Sequence, residues 1–174
     1  TKGAELLMEE NMKDLRMLQR KSVMAHEFMY ITCSVLGGRT RAKCPLTKGM
    51  RQATKKMDIA ISRAALNKMG ERSTNSRHHL YMKDYLGEGL TSLRDIWVQT
   101  TIAGLLRELR QPMSTDTRRI VEWSGIQHAN RWGLTMPWGR CRMVNRDDPA
   151  SDDTVAERVE AALAEVGFHF HRRA

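Results

Sequence analysis

The chain's thiols, Cys33, Cys44 and Cys141, are its most reactive side chains. A thiolate can serve as nucleophile, metal ligand or redox centre, so their spacing is the first thing to weigh. Ten residues separate Cys33 from Cys44, and Cys141 lies far beyond both. Cys44 stands among cations that favour its thiolate, but no base or orienting group accompanies it. His78 and His79 are adjacent, so on a helix they point about 100° apart and do not face one ion. His169 and His171 fall in the last residues of the chain. With no C-x-x-C and no H-x-x-x-H, neither a metal site nor a cofactor is expected.

The carboxylates are no more suggestive. Glu9–Glu10, Asp147–Asp148 and Asp152–Asp153 are neighbours in sequence; on a helix such pairs diverge, and in a loop they read as capping groups. The run "DDPASDD" lacks the glycine and spacing of a calcium loop. Ser124 and His128 share the run "EWSGIQH", but there is no G-x-S-x-G, and Ser124 is placed at a helix end. No catalytic residues are assigned, and the chain is expected not to be an enzyme.

Charge carries more information. Net charge is +9, with 29 Lys and Arg against 20 Asp and Glu. Most of the excess sits in Arg39, Arg41, Lys43, Lys48, Arg51, Lys55, Lys56 and Arg63, among which Asp58 is the single acid. The stretch "GGRTRAKCPLTKGMRQATKK" raises the idea of a phosphate loop. Its order is wrong for that: there is no G-x-x-x-x-G-K-[ST], and no strand precedes the glycine pair. A second acid-free block holds Arg131, Arg140, Arg142 and Arg146, with Trp132 and Trp138 beside the arginines. The segment from Asp147 to Glu165 is acidic, with Arg158 its only cation. A polarised chain of this kind calls for an anionic partner.

The surfaces expected to make contact are therefore Arg39, Arg41, Lys43, Lys48, Arg51, Lys55, Lys56 and Arg63, together with Arg131, Trp132, Trp138, Arg140 and Arg142. Tryptophan and arginine are enriched at protein interfaces, which favours other protein subunits as the partners. The alternative is RNA, with the cations on phosphates and the two tryptophans stacked on unpaired bases. No small-molecule substrate is identified.

The elements that must position these residues read as helices. The chain of 174 residues is long enough to bury a core without disulfides. It lacks the alternating Val/Ile runs of a sheet. The fold class expected is all-α, a single domain (1–174) of about five to seven helices with an irregular Trp/Arg-rich arm near residues 126–146. Residues 1–36 form an N-terminal helical segment, breaking near "QRKS" with Ser22 as cap and ended by Gly37 and Gly38. A helical core, 37–125, contains an amphipathic helix from Thr47 to Met69 with Gly70 just past its end, and a short helix from Arg77 to Leu86. Thr91 is expected to cap a helix reaching Gln111, where Pro112 stops it, and a further helix runs from Thr117 to Trp123, stopping at Gly125. Residues 126–153 give an extended arm and acidic loop; in 154–174 Asp153 caps a last helix that ends at Gly167.

The most apolar run, Ile96 to Leu106, is too short for the ~20 residues of a bilayer span. A basic chain beginning at Thr1 with an odd number of cysteines leads to an expected mitochondrial matrix location. The function expected is that of a non-catalytic accessory or structural subunit of a large mitochondrial assembly. The soluble side of an energy-transducing complex, an ATP synthase or respiratory complex, is the example that fits. An RNA-binding protein of an organellar ribosome or RNA-processing complex is the alternative.

Overall fold

The computed structural model describes residues 2–43, 47–72, 78–81, 89–131 and 155–167. Every regular element among them is helical, as the all-α expectation requires. Contacts gather the chain into two compact units, Thr1–Trp97 and Val98–Ala174.

In the first unit, α1 (Lys2–Arg20) buries Ala4, Leu7, Asn11, Leu15 and Leu18, the single stripe that a 3.6-residue period produces. It stops at "QRKS", where a break was expected. Helix α2 (Ala25–Ile31) then starts behind Met24, not Ser22: the Glu27 carboxylate accepts the Met24 N–H at 2.9 Å, tying off one orphan donor. Residues 21–24 turn the chain, so the two halves bury faces set independently. Phe28, Thr32, Leu36 and Thr40 are buried, whereas Met24 and Val35 are exposed.

Helix α2 runs into a π-helical segment (Thr32–Gly37) and on into α3 (Gly38–Lys43). Thr32 and Gly38 both keep right-handed helical backbone angles, so the glycine pair does not end the helix. The reason is packing. A Cβ on Gly37 would sit 3.2 Å from Cδ1 of Ile96, so this glycine permits close approach and does not act as a stop. A wide π turn also keeps residues spaced four apart on one side, where a pure α-helix would let them drift.

Helix α4 (Met50–Lys68) faces the core with Met50, Met57, Ile61, Ala64 and Ala65. Its N-cap is Gly49, at φ +78°, and not Thr47, whose hydroxyl donates back to the Lys43 carbonyl at 2.8 Å. Its end is as expected. Gly70 takes φ +75°, its N–H reaches the Asn67 carbonyl at 3.2 Å, and the Glu71 N–H reaches Leu66 at 2.9 Å. These two bonds make a Schellman motif. Helices α1 and α4 run in the same direction: Thr47 lies against Gly3 at one end, and Lys68 Nζ donates to the Lys21 carbonyl at the other. With α5 (His78–Tyr81) and the start of α6 (Leu93–Leu109), they close a core containing Leu15, Phe28, Leu36, Ile61, Leu66, Leu80 and Ile96. Each such side chain contributes about 1.5–3 kcal/mol on burial.

The second unit takes the rest of α6, then α7 (Asp116–Arg131) and α8 (Val155–Glu165). Leu105, Val121 and Val159 form its core, with Leu109, Val155 and Leu163 packed alongside. Helix α7 does not stop at Gly125; it continues to Arg131, and Gly125 is buried within it. The first part of the expected irregular arm is thus helical, while residues 132–153 lie outside the described residues. Helix α8 ends as expected, with Gly167 at φ +74°.

Candidate partner-binding surface

The eight cations of the first block do not share one role. Arg39 and Lys43 reach from α3 to partners on α1, Arg39 half-buried and Lys43 exposed. Arg39 donates Nη1 to Asn11 Oδ1 at 3.0 Å and Nη2 to Asp14 Oδ2 at 2.7 Å, with both charged side chains less than one-third exposed. Asn11, itself buried, turns its Nδ2 toward the Thr40 hydroxyl at 3.5 Å. Lys43 Nζ donates to Glu10 Oε2 at 2.8 Å, and this hydrogen bond, then the ammonium charge, holds the Glu10 carboxyl below its ordinary range. These two cations belong to the α1–α3 contact. Lys48 and half-buried Arg51 also interact within the chain.

Arg41, Lys55, Lys56 and Arg63 remain, all exposed and in no ion pair among the described residues. Three of them lie on α4. Gln52, Lys55, Lys56, Arg63 and Asn67 form its solvent face at helical spacing, with half-buried Ile59 among them and no acid. From Gln52 to Asn67 this face runs about 22 Å along the helix. It offers a strip of positive charge on a rigid support, suited to a partner bearing carboxylates or phosphates.

The acid missing from that face points inward. Asp58, opposite the cations on α4, holds the N-terminus of α6. Its Oδ2 accepts the Ser92 hydroxyl at 2.7 Å and the Arg94 N–H at 3.1 Å, and its Oδ1 accepts the Leu93 N–H at 2.7 Å. Ser92 Oγ in turn accepts the Asp95 N–H at 3.2 Å. A carboxylate aimed at orphan donors and the positive end of a helix dipole is a strong cap, here supplied by a different helix. Burial nevertheless dominates and pushes the Asp58 pKa up, against the three donors that lower it. Thr91, expected as the cap, instead donates its N–H to Cys33 Sγ at 3.3 Å.

The second unit repeats the device with a neutral group. Ser124, buried in α7, accepts the Ala156 N–H at 3.2 Å and so caps α8. Its hydroxyl therefore has a structural partner. Arg118 clamps the other junction: it donates to the Leu109 carbonyl at the end of α6, pairs with Glu122, and sets Nε 3.4 Å from Met113 Sδ. The surface of α7 differs in kind from that of α4, since Ile120, Trp123 and Ile126 are all exposed.

Arg131 is the last residue of α7; Cys44, Trp132, Trp138, Arg140, Cys141, Arg142 and the proposed cap Asp153 fall outside the described residues. Among the described residues no three His, Cys, Asp or Glu side chains gather as metal ligands, and no helix is long and apolar enough to cross a membrane. A cavity of ≈ 10 Å³ lined by Asn11, Thr40, Thr54, Met8, Met50 and Met57 has room for about one water. Comparison with known families, characterised proteins and solved structures yields no match to this chain.

Proposed function

We propose that the chain is a non-catalytic accessory subunit of a large mitochondrial assembly, such as the soluble side of an energy-transducing complex, and that it docks through the outer face of α4. The observation carrying this reading is the division of labour on α4. Its apolar side and its one acid are used inside the unit, while Lys55, Lys56 and Arg63 are presented outward without a counter-charge among the described residues. Cations held at fixed spacing on a 19-residue helix suit an acidic protein surface. The basic chain and free Cys33 fit the matrix as its compartment.

The narrowed face defines the test. Lys55→Glu, Lys56→Glu and Arg63→Glu together are expected to release the chain from its assembly while leaving its unfolding curve nearly unchanged. Size fractionation of a native extract, with and without RNase, reads the outcome. Migration in a large RNase-resistant particle, lost in the triple variant, supports the reading. A shift to small size after RNase transfers the face to RNA phosphates, and a triple variant that still assembles removes the docking role of α4.

A further inference from the structure

We propose that the docking face of α4 continues onto α1, where Arg16 and Arg63 together seat a side-chain carboxylate on a partner protein's helix. This deepens the reading above and rests on it. The placement follows from the register of two parallel helices. Lys68 Nζ donates to the carbonyl of Lys21, 47 residues earlier, and at the other end Thr47 lies against Gly3. Arg16 therefore comes abreast of the α4 turn from Ala60 to Arg63. Glu10 and Asp14 mark the side of α1 that faces α3. Met8 lies toward the other side and lines a cavity with Ala53 and Met57 of α4. Met12 and Ala60, both half-buried against the core, border the seam between the two helices. Arg16 follows Met12 by four residues and Arg63 follows Ala60 by three, so each rises from the flank next to that seam.

Both arginines are exposed, and neither is in an ion pair among the described residues. No residue three or four positions from either is acidic. Met12, Lys13, Gln19 and Arg20 neighbour Arg16 in this way, and Ile59, Ala60, Leu66 and Asn67 neighbour Arg63. Further along the seam, exposed Glu9 comes abreast of Lys56, which confines the uncompensated charge to the Arg16 and Arg63 end. Packed helix axes stand about 8–10 Å apart, a span that two arginine side chains close on one small anion. Charge complementarity thus selects an anion, and the surroundings select its carrier. Met12 and Ala60 offer apolar contact beside the charge, which an acidic helix with aliphatic residues uses and a phosphate chain does not.

Nuclear magnetic resonance of the intact chain, titrated with a synthetic helical peptide bearing glutamate along one face and leucine beside it, tests the proposal. Shifts should gather at Met12, Arg16, Ala60 and Arg63. Arg16→Gln and Arg63→Gln should each weaken binding about fivefold, the upper range for an exposed ion pair, with helical circular dichroism unchanged. Arg41→Gln removes the same charge from α3 and should weaken binding by less than about twofold. If Arg16→Gln binds no worse than Arg41→Gln, the seat is overturned, while release of the Lys55, Lys56 and Arg63 triple variant from its assembly would leave the docking role of α4 standing. A triple variant that still assembles removes that role and this seat with it. Polyuridylate that displaces the peptide from the same residues at lower concentration overturns the carboxylate assignment. Peptide that produces no shifts at about 1 mM overturns the proposal outright.

Discussion

Helices α4 and α7 each carry large apolar residues and several charges, yet they use them in opposite ways. Helix α4 turns its apolar side inward and presents cations; α7 keeps Val121 and Ser124 inside and leaves Ile120, Trp123 and Ile126 on the surface. The difference follows from their neighbours. Helix α4 has α1 along its length and α2 beside it, whereas the core around α7 centres on Leu105, Val121 and Val159. Amphipathic composition alone therefore does not say which side of a helix ends up outside. The number of faces that have packing partners does.

The sharpest test of that contrast applies one substitution to both helices. Ile61→Ala on α4 opens a cavity in the core and should cost about 3 kcal/mol in urea unfolding. Ile120→Ala on α7 should change the same measurement by no more than about 0.5 kcal/mol, since its side chain is exposed. Equal costs would break the comparison. Next in size is Asp58→Ala, which leaves the Leu93 and Arg94 N–H groups without their acceptor; about 2 kcal/mol is expected, with loss of amide-exchange protection at the start of α6. Arg39→Ala should cost about 1 kcal/mol through its pairs with Asn11 and Asp14. Arg41→Ala, two residues further along α3 and exposed, should leave the unfolding midpoint unmoved.

The smallest expected effect is a pH dependence. Burial raises the Asp58 pKa in the folded chain above 3.8, so the native state holds this proton more tightly than the unfolded one. The group's contribution is then most favourable at low pH and declines as pH climbs through the raised pKa. The stability of wild type relative to Asp58→Asn should accordingly fall over that window as pH rises. A rise instead would mean the three donors outweigh desolvation.

Local signals were readable in the sequence wherever local chemistry decides. The break at "QRKS", the glycine ends at Gly70 and Gly167, and the amphipathic period of α4 follow from backbone freedom and side-chain spacing within a few residues. The misread positions were those set by distant contacts. Gly37 and Gly38 look like terminators until Ile96 is placed against Gly37. Ser22, Thr47 and Thr91 are reasonable caps, but Met24 with Glu27, Gly49, and Asp58 through Ser92 serve instead. For the candidate surface, the basic run was evident while its partition was not: half-buried Arg39 and exposed Lys43 are paired within the chain because Glu10, Asn11 and Asp14 lie on α1. One clue was present. A lone acid in a strongly basic run, Asp58, marks a place where a negative charge has an internal task.

The π-helical segment between α2 and α3 takes up one more residue than an α-helix needs for the same turn. Removing a single residue from Thr32–Gly37 would let the helix close into ordinary α geometry, with α3 keeping nearly its present facing toward α1. A deletion within regular α-helix instead turns everything after it by about 100°. Thr32–Gly37 is therefore the stretch of this helix where a one-residue deletion leaves Arg39 and Thr40 directed at Asn11 and Asp14, whereas the same deletion within α2 would swing them away.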